Sequence, residues 1–160
     1  MIKLIALLIT ISVANANIFP FLLPDEGSSF NHYLQTLIKN SHSEIIIVTS
    51  TMNYPSLSKS IIHALSHGVH LKLIIAYPSN DPLHFVVYQG VDLYHYTPRT
   101  IADTLILIDN STICHASGAL DEKSMGNNVS TSWCTNEPTL ITKTQKDIHR
   151  LLQRSAPYLQ

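Results

Sequence analysis

The 160-residue sequence contains few charged residues and no block of like charge. Asp, Glu, Lys and Arg make up 13% of the residues, whereas hydrophobic residues make up 45%, a balance that argues against disorder. The formal net charge is only −1. Nucleic-acid binding proteins obtain much of their affinity from basic residues that neutralise phosphates. The composition therefore gives no strong indication of a nucleic-acid partner.

Long hydrophobic runs are also absent, apart from one at the N-terminus. The first residues read MIKLIALLITISVANA, with Lys3 as a positive start, an apolar run over 4–13 and the small-x-small sequence Ala14-Asn15-Ala16. This run is shorter than the roughly 20 residues of a membrane-spanning helix. We predict a signal peptide over 1–16 and an exported mature domain over 17–160, periplasmic or secreted and not membrane-spanning. A buried N-terminal helix or an uncleaved anchor is the alternative.

Cysteine is scarce, because Cys114 and Cys134 are the only two. In an oxidising compartment, a pair within one small domain tends to form a disulfide, which contributes roughly 3 kcal/mol for a loop of about 20 residues. Two free thiols, or a metal pair with a nearby histidine, are the alternatives, and we take no C-x-x-C or H-x-x-x-H spacing to support a metal site. We predict the disulfide and expect neither a metal nor another cofactor.

Helical and strand-like segments alternate along the mature chain. Apolar residues at helical spacing predict a helix that begins at Ser28 or Ser29, and the run 44–50 predicts a buried strand. A helix between Pro55 and Gly68 and a strand over 69–77 complete a parallel βαβ unit. Further predictions are a short helix over 83–89, strands over 91–96, 104–109 and 112–116, a polar loop over 120–132, a final strand over 136–143 and a helix over 145–159. The predicted fold class is a single α/β domain, whose mixed, mostly parallel sheet carries helices on both faces.

This order resembles the nuclease-type branch of the phospholipase D superfamily over nearly all of the mature chain. The segment FPFLLPDEGSSFNHYLQTLIKNSHSEIIIVTSTM (19–52) is similar to that family's first strand, Gly-Ser turn, first helix and second strand. The segments LSKSIIHALSHGVHLKLII (57–75) and QGVDLYHY (89–96) are similar to its next helix and Gly-Val-strand units. The resemblance implies a phospholipase D-like single domain and, for a chain this short, a homodimer.

The chemistry-bearing positions of the family are mostly replaced. Its His-x-Lys-x-x-x-x-Asp signature falls on ADTLILID, which keeps Asp109 but has Ala102 and Thr104 where the family has His and Lys. The downstream Gly-Ser-x-Asn falls on 116–119, which keeps only Ser117 and has Ala119 in place of Asn. The stretch TNEPTLI offers Asn136 and Glu137 for the family's late acidic position.

This loss removes the catalytic groups that the resemblance implies. In the family one His attacks phosphorus, another protonates the leaving oxygen, and two Lys stabilise the phosphoryl oxygens. Ala102 can neither attack nor carry a proton, and the hydroxyl of Thr104 is a weak substitute for a cation. A homodimer would repeat the defect. The leading hypothesis is therefore an exported, non-catalytic binding or scaffold module with a possible phosphate-containing ligand.

Two rival hypotheses remain open. An active phosphodiesterase, nuclease or lipase, would use His115 or His95 as a substitute with Glu137, and Arg99 is a candidate for the missing cation. His115 is the better substitute, because strand alternation places it on the same face as Ser117. The other rival is a disulfide-stapled adaptor whose partner surface lies elsewhere, for example on 120–132. The kept Asp109 also has a plain alternative role, as a turn residue that closes a hairpin.

Overall fold

The computed structural model describes residues 16–77 and 80–158. Its strands are β1 (Ile18–Leu23), β2 (Glu44–Thr49), β3 (Met52–Asn53), β4 (His70–Ile75), β5 (Val91–His95), β6 (Asp103–Ile108), β7 (Thr112–Ser117), β8 (Leu120–Asp121), β9 (Ser130–Thr135) and β10 (Ala156–Pro157). Its helices are α1 (Gly27–Lys39), α2 (Pro55–Ser66), α3 (Asn80–Phe85), α4 (Glu122–Gly126) and α5 (Pro138–Leu152). The predicted signal peptide lies outside the described residues, except for Ala16. Within these two ranges, no helix combines the length and the apolar character needed to cross a bilayer.

Eight strands form one mixed sheet in the order β1-β9-β7-β6-β2-β4-β5-β10. The pairs β2–β4 and β4–β5 are parallel, as the βαβ pattern predicts. The other five described pairs of this sheet are antiparallel. The mixed α/β fold is thus confirmed, but the sheet is not mostly parallel. One reason is that β6 and β7 form a hairpin, whose short connection joins antiparallel strands, and β9 then pairs antiparallel with β7 on one side and with β1 on the other.

Helices cover both faces of the sheet, as predicted. Helices α1, α2 and α3 bury Phe30, Leu34, Leu57, Ile61 and Phe85 against one face, which we call the α1 face. Helix α5 covers the other face, the α5 face, with Ile141 and Ile148. Since successive side chains of a strand point to opposite faces, the continuous apolar run of β2 supplies both cores. Ile45 and Ile47 pack on the α1 face, whereas Ile46 and Val48 pack on the α5 face.

Three predicted elements after the first βαβ unit are wrong. The short helix lies at Asn80–Phe85 rather than over 83–89, although Gly90 does end that connection at a positive φ of 79°. The predicted polar loop over 120–132 contains β8, α4 and the start of β9. Its polar residues build structure, because the Asp121 carboxylate accepts a hydrogen bond from the Ser124 backbone N–H at 2.7 Å and caps α4.

The C-terminal helix also begins earlier than predicted. Residues 138–143 of the predicted final strand (136–143) form the first part of α5, and residues 145–152 of the predicted final helix (145–159) form its later part. Glu137 caps this helix and Pro138 occupies its first turn. The β-branched residues of TLIT favour a strand locally, but the cap and the proline place a helix start there. The strand that precedes the helix is β9, which pairs with both β7 and β1.

The predicted disulfide between Cys114 and Cys134 is present. The two residues are cross-strand partners on β7 and β9, and both are fully buried in the core of the α1 face. Their sequence separation of 20 residues encloses β8, α4 and the connections around them. The bond therefore ties together a segment that contributes few residues to either core.

We expect the double variant Cys114→Ala/Cys134→Ala to lose about 3 kcal/mol of unfolding free energy, because the open loop gains entropy in the unfolded chain. Urea unfolding followed by circular dichroism measures the loss. Dithiothreitol should destabilise the wild type and leave the variant unchanged. Equal unfolding midpoints for the oxidised wild type and the variant would contradict this expectation.

Candidate functional site

Ala102 and Thr104, the first two positions of the ADTLILID stretch, lie at one end of the sheet, which we call the motif end. The parallel strands β2, β4 and β5 finish here, β6 begins here and β7 finishes here, since Asp103 pairs with Ser117. In open α/β sheets, ligands bind beyond the carboxyl ends of parallel strands. The motif end is therefore where the fold would place a site.

Thr104, at the position of the family's Lys, is completely buried on the α1 face. Its hydroxyl donates to the Gly118 carbonyl oxygen at 2.7 Å and lies 2.8 Å from the Thr49 hydroxyl. Thr49, also fully buried, is within 3.0 Å of the Thr51 carbonyl and accepts from the Leu120 N–H at 3.2 Å. These contacts form a neutral, closed network that joins the ends of β2 and β6 to the β7–β8 turn.

The other two replaced positions carry only methyl groups. Ala102 is exposed just before β6, and Ala119 is buried between β7 and β8. Gly118, which directly precedes Ala119 in the turn between β7 and β8, has a positive φ of 92°. A Cβ atom at this position would lie 3.0 Å from the Ser124 hydroxyl of α4. The turn therefore packs closely against α4. No group at these positions can attack phosphorus or transfer a proton.

Two further hydroxyls lie on the α1 face near the motif end. Ser132 is fully buried and pairs with Ala116, which in turn pairs with Thr104. The hydroxyls of Ser130 and Ser132 have no hydrogen-bond partner among the described residues. Together with the two threonines they make this interior neutral, with donors and acceptors but no base and no cation. Sequence reasoning missed Thr49 and these serines, although the polar ending of the apolar run EIIIVTS is a visible signal.

Asp109, the motif residue that the chain keeps, lies at the opposite end of the sheet. It follows β6 with a φ of 50°, in the turn to β7. Its carboxylate accepts hydrogen bonds from the backbone N–H groups of His42, Ser43 and Glu44 at 2.9, 2.8 and 3.1 Å, and from the Ser43 hydroxyl at 2.9 Å. Asp109 thus fixes the loop that leads into β2 and makes no contact at the motif end.

The pKa of Asp109 reflects this bracing role. Burial raises the pKa of the carboxyl, but the hydrogen bonds from Ser43, His42 and Glu44 outweigh burial and lower it below its usual value. A depressed folded-state pKa means that ionised Asp109 stabilises the fold above its ordinary pKa. This contribution is lost as the pH falls through the lowered value.

The remaining candidate residues do not converge on one site. Glu137 caps α5, where its carboxylate accepts from the Leu140 N–H at 2.6 Å. Hydrogen bonds from the backbone N–H groups of Leu140 and Thr139 lower its pKa. Because Thr135 pairs with Ile113, Glu137 follows β9 at the Asp109 end of the sheet. Ser117 lies at the motif end, roughly 20 Å away by strand rise.

His115 lies on the α5 face, opposite to Thr104. Its ring stacks on Trp133 with the ring centres 5.2 Å apart, and its Nε2 atom is 3.7 Å from the Asp103 carboxylate. His115, Asp103 and Arg99 are among the residues that line a cavity of about 290 Å³. The alternation of β7 separates His115 from the neighbouring Ala116, which packs in the α1-face core. The His115–Asp103 and His115–Trp133 contacts could not be predicted from the sequence, because both depend on strand register.

His95, the other substitute candidate, is held away from the motif positions. Its Nε2 atom lies 3.0 Å from the Ala76 carbonyl oxygen, and its ring meets Tyr158 edge-on at 6.0 Å between centres. Since the carbonyl can only accept, Nε2 donates to it. The ring therefore joins β5 to the end of β4.

The chain is similar in structure to proteins of the phospholipase D family. NucT from Helicobacter pylori superposes with a TM-score of 0.81 at 13% identity, covering 90% of this chain and all of that one. Nuc from Salmonella typhimurium, a phospholipase D family member, gives 0.77 at 15% identity and covers 90% and 99% of the two chains. This chain has the phospholipase D fold.

A more distant structural neighbour carries a different description. TrmBL2, an archaeal chromatin protein described with a novel mode of DNA binding, superposes on this chain with a TM-score of 0.66 at 10% identity. The match covers 88% of this chain and 55% of that one. No protein-family model and no curated protein sequence matches the chain.

We expect Asp109→Asn to lose about 2 kcal/mol of unfolding free energy at pH 7, because the amide cannot accept all of the carboxylate's charged hydrogen bonds. The difference from the wild type should shrink as the pH falls below the ordinary Asp pKa of about 3.9 and through the lowered pKa of folded Asp109. Urea unfolding between pH 3 and pH 7 measures both effects. Asp25→Asn, at an exposed aspartate, is the matched control and should change little at any pH.

Proposed function

We propose that this chain is a non-catalytic member of the phospholipase D family, an exported binding or scaffold module that acts as a homodimer through the motif end. The observation that carries the proposal is Thr104. The position that should present a cation to phosphate is fully buried, and its hydroxyl is engaged by Thr49 and Gly118.

The energetics of phosphoryl transfer favour this interpretation. A positioned acid or base contributes typically about 10²–10⁴-fold in rate, and a nucleophile that forms a covalent intermediate divides one difficult step into two. The motif end supplies neither, because Ala102 carries a methyl group. Neutral hydroxyls also stabilise a developing negative charge less well than a Lys ammonium group. Losing these groups together removes most of the expected rate enhancement.

The geometry argues against an enzyme that uses substitute residues. His115 faces α5, while Thr104 and Ala116 face α1, so the sheet itself stands between the imidazole and the motif positions. Glu137 lies about four residues beyond Trp133, the cross-strand partner of His115, which is roughly 13 Å along the strand direction. A rearranged site built from His115 and Glu137 would need these elements to repack.

Several observations support a binding role. Ala119 is buried and the fully buried Thr104 hydroxyl is engaged by neighbouring groups, so these two positions are packed and do not line an open site. The disulfide supports export, since such bonds persist in oxidising compartments. The partner at the motif end is proposed to be a second copy of the chain, with a phosphate-containing ligand as an additional possibility that direct binding measurements can test.

We expect purified protein to leave a chromogenic bis-aryl phosphodiester unhydrolysed, because Ala102 cannot act as a nucleophile. The triple revertant Ala102→His/Thr104→Lys/Ala119→Asn should hydrolyse the diester at least about 10²-fold faster than the wild type. Initial rates from absorbance measure both. The double revertant Ala102→His/Ala119→Asn runs beside it, because Lys at the buried position 104 can impair folding, and circular dichroism checks each variant.

Activity in the wild-type protein would overturn the proposal if His115→Ala abolished it. His149→Ala, at an exposed histidine of α5, is the matched control for a general effect of removing an imidazole. Sedimentation equilibrium tests the dimer separately. A strict monomer at micromolar concentration would remove the homodimer from the proposal and leave the hydrolysis result unaffected.

A further inference from the structure

The C-terminal end of α2 carries two exposed histidines four residues apart. His63 lies in the last turn of the helix and His67 is its C-cap residue. Helix residues at i and i+4 lie one above the other on the same face. The sequence HALSH therefore stacks two imidazoles at one point on the surface. This H-x-x-x-H spacing contradicts the expectation from the sequence that no such spacing supports a metal site.

The distance between the two rings fits joint coordination of one ion. The ring centres are 4.4 Å apart and the ring planes are inclined by 48°. Two imidazoles at adjacent coordination positions, with metal–nitrogen bonds of about 2.0–2.1 Å, have ring centres roughly 4.5–5 Å apart. Small rotations of the side chains would bring both ring nitrogens to bonding distance.

The hydrogen bonds around the pair prepare His67 as a ligand. Its Nδ1 atom lies 2.8 Å from the His63 backbone carbonyl oxygen. Because a carbonyl oxygen only accepts, Nδ1 carries the proton and Nε2 of the neutral ring keeps its lone pair. A ligating histidine usually donates its other N–H to an acceptor in this way, which fixes both the ring and its tautomer. The Ser66 hydroxyl donates to the same carbonyl at 2.7 Å.

The position on the helix also favours a cation. The C-terminal end of a helix carries partial negative charge from carbonyl groups that lack an intrahelical partner. The carbonyl of His63 belongs to this last turn, and His67 closes it. A divalent ion bound by the two rings would therefore lie close to the negative end of the α2 dipole.

We propose that His63 and His67 form a surface site for one divalent late transition-metal ion, with copper(II) binding more tightly than zinc(II). Imidazole nitrogens suit copper, nickel and zinc, and affinity in this series is highest for copper(II). Within residues 16–77 and 80–158, no group of three or more His, Cys, Asp or Glu side chains is placed to hold a metal. The two imidazoles are thus the protein ligands, and water completes the coordination.

The site is independent of the proposed binding role. Helix α2 starts after β3 at the motif end and finishes just before β4 begins, so its histidines lie at the opposite end of the sheet. Neither histidine contacts a residue of the degenerate motif in the interactions described above. Failure of one proposal would leave the other standing.

Copper(II) titration of the full chain at pH 7.5, followed by isothermal calorimetry and electron paramagnetic resonance, tests the site. We expect one copper per chain with nitrogen hyperfine structure from two imidazoles. His63→Gln and His67→Gln should each weaken binding at least tenfold. His63→Gln leaves the His67–carbonyl contact in place, so its effect cannot come from unravelling of the helix end. His149→Gln, at an exposed histidine of α5, should bind as the wild type does.

Two results would overturn the proposal. One is unchanged copper affinity in His63→Gln, with circular dichroism that shows a folded protein. The other is an equal loss of affinity in His63→Gln and His149→Gln, which would indicate scattered binding to surface histidines. A parallel zinc(II) titration that gave tighter binding than copper(II) would overturn the predicted order of metals.

Discussion

The central sheet is covered by helices on both faces, so the position of a residue along a strand decides which core it serves. On β6, Thr104 enters the α1-face core and Leu105 packs towards α5. On β7, His115 faces α5, while Cys114 and Ala116 face α1. A residue can change face only if the strand shifts its register by one residue. Such a shift would move every apolar side chain of that strand to the opposite face of the sheet. The chemistry available at each position is fixed by this alternation.

This constraint keeps the nearby titratable groups away from Thr104. His115, the histidine of β7, lies on the α5 face, whereas Thr104 lies on the α1 face. The carboxylate of Glu137 caps α5. A Lys at position 104 would need acceptors for a buried charge, but Thr49 and Gly118 offer only neutral oxygens. Burying an unpaired ammonium costs several kcal/mol, whereas a hydroxyl with two partners is readily accommodated. The Thr104 hydroxyl therefore has hydrogen-bond partners at this position without any catalytic group.

Much of the fold follows from local pattern, and the errors share one cause. The apolar run of β2, the proline and glycine at the two ends of α2, and the cysteine pair all act through short-range chemistry that a sequence displays. The early start of α5 and the strand β9 were missed because the cap at Glu137 competes with a β-branched run, and only tertiary packing decides between them. The candidate site was harder still. Ser117, Asp109 and Glu137 look like one set in the sequence, but antiparallel pairing sends them to opposite ends of the sheet.

The survival of Asp109 beside Ala102 and Thr104 has a physical explanation in these contacts. The signature joins two kinds of residue: the first two positions face the motif end, whereas the last one accepts four hydrogen bonds that hold the entry to β2. Removing His or Lys costs activity, but removing the Asp takes away the acceptor of four hydrogen bonds at the entry to β2 and costs stability. Under the proposed non-catalytic role, the first two positions are free to change and the third is not. Asp109 is evidence of a shared architecture, and it carries no evidence of activity.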